Sequence, residues 1–216
     1  MEFSEVLHNR RSVRCFNDQP IERDTLLDIV GDAQQTPSWA NSQPWRVYLA
    51  TGDTLDSIKA EHRAASSQGL RGQAEFSTMH RDAWDPETRR NMGKWSTQIR
   101  GHLGADHADE YGDSQRDLFH AAAIAYLTIP AQSSLWSVFD LGAFSQTLMY
   151  SAVARSVSTM SAYETVKYPQ IVRKWIDIPE TEMVAMGIAL GYADDYRINE
   201  FVSERQPLDR ILTVRD

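Results

Sequence analysis

The sequence predicts an α+β fold in which a mixed central sheet is flanked by helices. Segments with helical periodicity alternate with short segments rich in β-forming residues, a pattern typical of layered sheets and helices. The chain has 216 residues, of which 42% are hydrophobic, so a substantial core is expected. No internal repeat or linker divides it. We therefore expect a single domain over residues 1–216, with a variable lid-like insertion at 66–112 and a C-terminal arm at 193–216.

The first part of the chain predicts three helices and one strand. A short amphipathic helix is expected over residues 3–9 with Ser4 as its cap, and a second helix from Asp24 to about residue 35 with Asp24 as its cap. The alternating segment 45–50 predicts a strand. Asp53 or Thr54 is expected to cap a third helix that runs through Leu55, Ile58 and Ala65.

The second part begins with a polar region, 66–112, where we expect short helices and loops, with a lid over a pocket as one interpretation. The strongest helical pattern in the chain runs from Ser134 to Arg155 and is apolar on nearly every face, so it should be covered on several sides. The other predicted elements are strands at 121–129, 157–160 and 182–192 and a short helix at 168–175. The strand at 182–192 is continuously apolar, which favours an interior position.

The charge and the cysteine content limit the function classes. The net charge of −8 argues against sequence-independent binding to nucleic acid or to anionic lipid. The lone Cys15 cannot form an internal disulfide, and no Cys or His spacing predicts a metal site. The first residues lack the pattern of a signal peptide, and no apolar stretch is long enough to span a membrane. We expect a cytoplasmic protein.

A basic run stands out in this acidic chain. Arg10, Arg11 and Arg14 lie within five residues of one another and flank Ser12. Guanidinium groups this close repel each other unless an anion lies among them, which indicates a phosphate site. The alternative is that these residues end a helix and complement its dipole.

The segment from Pro37 to Pro44 reads PSWANSQP and precedes the strand at 45–50. Its hydroxyl and amide side chains on a loop between two prolines suit recognition of a polar heterocycle. An ordinary turn explains the same residues.

Taken together, these two segments resemble the start of the FMN-dependent nitroreductase family. The similarity includes RRSVRCF and PSWANSQPW, and later the blocks DLGAFSQTLMYSAVARS, VSTMSAY, EMVAMGIALGYAD and NEFVSERQPLD, in the same order. Residues 66–115 lie outside it. The resemblance implies a nitroreductase-like α+β homodimer whose C-terminal arm packs on the partner subunit.

The resemblance also implies a set of FMN-binding residues. The phosphate and ribityl chain would be held by Arg10, Ser12 and Arg14, with Arg11 nearby, and by Arg205 of the terminal block. The flavin ring would lie beside Ser161 and Ala162, next to Met160. A loop from the other subunit would face the flavin through Pro37, Ser38, Trp39, Asn41 and Gln43.

The activity implied is reduction of nitroaromatics, quinones or similar electron-poor acceptors, with NADH or NADPH as the co-substrate. FMN carries the chemistry, so no catalytic side chain and no metal are expected. A single pocket over the flavin would receive both substrates in turn, giving ping-pong kinetics. The alternatives are a flavin or enone reductase on the same scaffold, a flavin-binding sensor or carrier without turnover, and a protein that binds no flavin.

One departure from the family pattern concerns the residues after the long helix. Ser156 stands where relatives usually carry glycine, and Ser161 stands where they carry proline. Serine tolerates the backbone torsions of such a glycine poorly. Among the remaining polar residues, Asp140 is interpreted as a buried carboxylate that pairs with an arginine or caps a backbone group, and Cys15 as a small core residue.

Overall fold

A computed structural model describes residues 2–215. The four strands are β1 (Arg46–Thr51), β2 (Ala123–Pro130), β3 (Ser158–Ala162) and β4 (Glu182–Gly191). The helices are α1 (Phe3–Asn9), α2 (Arg23–Ala33), α3 (Gly52–Ser67), α4 (Pro86–Leu103), α5 (Glu110–Arg116), α6 (Leu135–Ala154), α7 (Pro169–Trp175) and α8 (Arg197–Glu200). The α+β class predicted from the sequence is confirmed.

The strands form one sheet in the order β1-β2-β4-β3, and neighbouring strands are antiparallel. Within the described residues, parallel pairing is limited to a single bridge between Ser12 and Thr159. Strand β2 is buried from Ala123 to Ile129, and its last residue, Pro130, is exposed. Strands β2 and β4 are the two inner strands of the sheet, and helices cover both of its faces. Side chains on both sides of these strands are therefore buried, which explains their continuous apolar sequences.

Two apolar clusters lie on opposite faces of the sheet. One contains α2 and α6, where the rings of Trp45 and Phe144 are stacked with centroids 4.7 Å apart. The other contains α3 and α7, with Leu55, Ile58 and Tyr168 among its buried members. A smaller third cluster joins α4 to the C-terminal segment through Ile99, Leu103, Ile198, Phe201 and Cys15.

Helix α6 is roughly 30 Å long at 1.5 Å per residue. Its second half is packed in the core, as predicted, but its first turns are not covered. Leu135 is 86% exposed and Phe139 is 71% exposed. The prediction of cover on several sides is therefore wrong for the beginning of this helix in the single chain.

Several local predictions need correction. Ser4 lies inside α1, whose cap is a reciprocal arrangement between Glu2 and Glu5. Asp24 lies in the first turn of α2, which begins after Glu22. The region 66–112 contains the 18-residue helix α4, which is not the short helix that we expected. Its N-terminus is capped by Asp85, whose carboxylate accepts hydrogen bonds from the N–H groups of Glu87 and Thr88.

The C-terminal segment runs along α4. The Lys94 ammonium and the Glu204 carboxylate are 2.6 Å apart, and Trp95 Nε1 donates to Ser203 Oγ at 3.0 Å. Residues 204–215 are exposed, so this stretch has no core of its own, as predicted. Its packing on a partner subunit stays a prediction. None of the described helices has the length and apolarity needed to cross a lipid bilayer.

Candidate functional site

The basic segment leaves α1 and runs along the edge of the sheet. Val13 donates its N–H to the Thr159 carbonyl at 3.0 Å, which ties the segment to β3. Phe16 lies against Gly191, where a Cβ atom would come within 2.7 Å of Phe16. This close approach requires glycine, and it places residues 10–14 at the end of the sheet.

Asn199 of α8 fixes the same segment from the other side. Its Oδ1 accepts hydrogen bonds from the N–H groups of Arg14 at 2.8 Å and Cys15 at 3.1 Å, and its Nδ2 donates to the Cys15 carbonyl at 2.6 Å. The Asn199 side chain is buried, so each of these bonds replaces a lost contact with water. Sequence analysis quoted Asn199 within the terminal block but gave it no role, because local patterns do not show its contact with Arg14, which lies 185 residues earlier.

The segment lines a cleft of about 470 Å³ together with the start of the C-terminal tail. The structure brings five of the predicted FMN-binding residues together there, namely Arg10, Arg11, Ser12, Arg14 and Arg205. Gln146 and Tyr150 of α6 and Ser203 also line the cleft and were not predicted. The four-residue separation of Gln146 and Tyr150 in α6 is the one sequence signal that places them on a shared face.

Two of the guanidinium groups in the cleft, those of Arg10 and Arg205, are close enough to repel each other. Burial lowers the pKa of Arg10, and the nearby positive charge of Arg205 lowers it further. The side chain of Arg205 is held by the two preceding residues, since its Nη1 donates to the carbonyls of Ser203 at 2.9 Å and Glu204 at 3.2 Å. Two cations that share a cleft repel each other, so the arrangement favours an anionic occupant.

Arg14 is the most deeply placed of these cations. Its side chain is buried, and burial lowers its pKa. The guanidinium carbon lies 5.8 Å from the ring centroids of both Trp95 and Phe201, and Nη1 donates to the Ser12 carbonyl at 3.2 Å. Nε is buried without a hydrogen-bond partner among the described residues. An unpartnered donor of this kind is costly unless a ligand supplies an acceptor.

The loop at 37–44 lies elsewhere on the same chain. None of Pro37, Ser38, Trp39, Asn41 and Gln43 lines the basic cleft. The backbone has positive φ at Ala40, Asn41 and Gln43, with values of 50°, 56° and 43°. Their predicted contribution to a flavin site from the other subunit stays a prediction.

Hydrogen bonds of ordinary length hold this loop in place. Asp140 of α6 is buried and accepts the Trp39 N–H at 3.0 Å, and Ser38 Oγ accepts the Gln43 N–H at 2.9 Å. Gln43 Nε2 donates to Asn41 Oδ1 at 3.0 Å. The interpretation of Asp140 as a carboxylate that caps a backbone group is confirmed. The Trp39 side chain projects outward and is 62% exposed.

Strand β3 forms one edge of the sheet and carries Ser161 and Ala162. Ser161 is exposed and Ala162 is half-buried. Strand β3 pairs with β4 on one side, and on its other side Ser12 bridges Thr159. The backbone of Ser161 and Ala162 on that other side is not paired with another strand within residues 2–215. An open strand edge presents backbone donors and acceptors to a neighbouring group.

Two further sequence interpretations are resolved by the structure. Ser156 has φ of 62°, in the left-handed region that favours glycine, as its position in the family pattern predicted. Burial raises the pKa of the Cys15 thiol to about 12, with smaller contributions from Asp194 and other carboxylates. Cys15 is therefore a core residue, as expected, and it is not an activated thiol.

Known proteins resemble this chain over nearly its whole length. The chain is 28% identical over 226 residues to a 4-nitrobenzoate reductase of Nocardioides sp. (strain LMS-CY), covering 98% of this chain and 89% of that protein. It is 28% identical over 200 residues to a nitrobenzene nitroreductase of Ectopseudomonas oleovorans, covering 88% and 86%. The solved structure of an FMN and NADPH-dependent nitroreductase NfnB from Sphigopyxis sp. strain HMH superimposes with a TM-score of 0.88 at 25% identity, covering 100% of both chains.

The model of the nitroreductase family matches residues 7–192. The match begins in α1, includes the basic segment, the loop at 37–44 and the whole sheet, and ends just after β4. The resemblance noted in the sequence is thereby confirmed, and the chain belongs to the nitroreductase family.

Proposed function

We propose that this protein is an FMN-dependent oxidoreductase that oxidises NADH or NADPH and reduces nitroaromatic compounds, quinones or similarly electron-poor acceptors. The basic cleft carries the proposal, since it gathers four guanidinium groups in a chain of net charge −8. The relatives add support: two are named for reduction of nitroaromatic compounds, and the matching solved structure is described as dependent on FMN and NADPH.

The cleft fits the phosphate of FMN. A phosphate between Arg10 and Arg205 offsets the repulsion that lowers the pKa of Arg10. It also supplies an acceptor for the buried, unpartnered Nε of Arg14. Ser12 lies in the same cleft with its hydroxyl as a further donor. We therefore assign phosphate binding to Arg10, Ser12, Arg14 and Arg205, with Arg11 at the exposed margin.

The flavin ring is assigned to the open edge of β3 beside Ser161 and Ala162. When bound, FMN supplies the redox chemistry, because it accepts a hydride from the nicotinamide and delivers reducing equivalents to the acceptor. The protein binds and orients the substrates, and the backbone donors of the strand edge stabilise developing negative charge. One pocket serves both substrates in turn, so ping-pong kinetics are expected. Trp39 of the partner subunit forms a wall of that pocket.

A homodimer completes the proposed site. The beginning of α6 exposes Leu135, Trp136 and Phe139, and the exposed Trp39 is bonded through its N–H to Asp140 of the same helix. A contiguous apolar patch of this kind indicates a protein interface. In a twofold dimer each subunit contributes the same surface, so the loop of one chain faces the cleft of the other. The C-terminal arm, with Ile211 75% exposed, would pack on the partner.

The first experiment tests the phosphate site. We expect Arg205→Ala to weaken FMN binding by about 10- to 150-fold, which corresponds to roughly 1.5–3 kcal/mol for a hydrogen bond to a charged group. The control is Arg23→Ala, which removes the same charge from the exposed start of α2. Fluorescence titration of the apoprotein with FMN measures both. Equal affinities for the two variants would contradict the assignment of Arg205.

The second experiment tests the reaction. Anaerobic addition of NADPH or NADH to the FMN-loaded protein should bleach the flavin absorbance near 450 nm, a wavelength typical of oxidised flavins. A nitroaromatic compound added afterwards should restore it. Faster turnover of free flavin or of α,β-unsaturated carbonyl compounds would favour the flavin or enone reductase alternative. Persistent yellow colour with both nicotinamides would refute reductase activity and favour a sensor or carrier.

A further inference from the structure

A second cavity, of about 460 Å³, lies between α4 and α5. It shares no lining residue with the basic cleft. Its size falls within the range of small-molecule sites. It belongs to the region 66–112, for which the sequence analysis gave a lid-like insertion as one interpretation and named no binding residue.

The inner wall of this cavity is apolar and contains two aromatic rings. Ile99 and Leu103 are buried on one face of α4, and the rings of Trp95 and Tyr111 meet edge to face with centroids 6.1 Å apart. Trp95 is fixed in place because its Nε1 donates to Ser203 Oγ. A rigid wall of this composition suits a flat, apolar ligand.

The exposed margin of the cavity carries two cations. Arg81 and Arg100 both line it, and no carboxylate from residues 2–215 does, although the chain has 30 acidic residues. Neither guanidinium makes a side-chain hydrogen bond or ion pair with any residue between 2 and 215. Arg173 pairs with Glu75 and Arg155 with Asp32, whereas Arg81 and Arg100, like the exposed Arg23 and Arg90, have no acidic partner within residues 2–215.

We propose that the cavity between α4 and α5 binds an aromatic monocarboxylate, with the ring among Trp95, Ile99, Leu103 and Tyr111 and the carboxylate at Arg81 and Arg100. Guanidinium groups bind carboxylates through charge-assisted and often paired hydrogen bonds. Burial of the ring provides the apolar contribution. This site is additional to the proposed FMN site, and its binding involves no redox step.

The test uses the FMN-loaded protein with 2-naphthoate and its neutral isostere 2-naphthamide, measured by isothermal titration calorimetry. The proposal predicts that 2-naphthoate binds with one site per chain and about tenfold or more tightly than 2-naphthamide. Arg100→Gln and Arg81→Gln should each reduce naphthoate affinity about tenfold or more. The matched control is Arg90→Gln, which removes an exposed cation of α4 that does not line the cavity. It should leave the affinity unchanged.

A cavity-filling variant locates the site independently. Ala108→Trp, at an exposed residue that lines the cavity, should abolish naphthoate binding while the flavin spectrum is retained. If that variant does not fold, the two exposed arginine variants still decide the question, because neither side chain supports the core. Equal binding of acid and amide would overturn the proposal. So would naphthoate binding that survives both arginine variants, since the acid would then occupy another site.

Discussion

The end of helix α6 provides a direct test of how backbone conformation affects the stability of this protein. The N–H of Ser156 donates to the Val153 carbonyl at 2.9 Å, and the N–H of Val157 donates to the Ala152 carbonyl at 2.9 Å. This pair of bonds defines a Schellman motif, in which the residue after the helix cap adopts the left-handed conformation. Ser156 holds that position with φ of 62°.

The magnitude follows from two opposing effects. A left-handed conformation costs an ordinary L-residue roughly 1–2 kcal/mol. Glycine avoids that cost but loses about 0.5–1 kcal/mol through its greater freedom in the unfolded chain. The Ser156 side chain is exposed and its hydroxyl makes no hydrogen bond within residues 2–215, so no contact is lost. We expect Ser156→Gly to raise the free energy of unfolding by about 0.5–1 kcal/mol and Tm by about 1–4 °C.

The assay is urea unfolding and thermal unfolding of the FMN-loaded protein at fixed FMN concentration, since bound ligand itself raises Tm. The matched control is Ser67→Gly, an exposed serine in the last turn of α3 with ordinary helical conformation. It should leave stability unchanged or lower it by a few tenths of a kcal/mol. A Ser156→Gly protein that is no more stable than wild type, or no more stable than the control, would refute the reasoning.

Three other predictions concern buried polar groups. Asp140→Leu should lower the free energy of unfolding by about 1–3 kcal/mol, because the Trp39 N–H loses its acceptor. Asp140→Asn keeps an acceptor and should retain most of the stability. Urea unfolding measures both variants. Burial lowers the pKa of His62. As the pH falls below about 6.5, the unfolded chain therefore binds a proton at this residue more readily than the folded protein does. The free energy of unfolding should then decrease as the pH falls below about 6.5. His62→Asn, which keeps a donor for the Arg116 carbonyl, should flatten that fall in urea midpoints, and an unchanged slope would exclude His62 as its cause. Since burial raises the pKa of Cys15 to about 12, a thiol reagent should label the native protein slowly and the urea-unfolded protein rapidly, and fast native labelling would contradict the buried placement.

The elements that the sequence predicted well are those whose burial is uniform along the segment. Strands β2 and β4 have continuous apolar sequences because helices cover both faces of the sheet. Helix α4 escaped prediction because only one narrow stripe, including Ser96, Ile99 and Leu103, is buried, and Gly93 and Gly101 interrupt the helical signal. The helix caps were misplaced because Glu2 and Glu22, which are not the preferred cap residues, occupy those positions.

The sequence by itself determined the class of fold, the family and the unusual conformation at Ser156, because each can be recognised from short local patterns and from the order in which those patterns follow one another. Only the tertiary structure showed which charged and polar side chains lie close together. The meeting of Arg10 with Arg205 and the attachment of Asn199 to the basic segment join residues far apart in sequence. Likewise, only the fold shows that Arg81 and Arg100 line the α4–α5 cavity without an acidic residue beside them. Pairing of charges depends on distance and burial in three dimensions, and local sequence patterns carry neither.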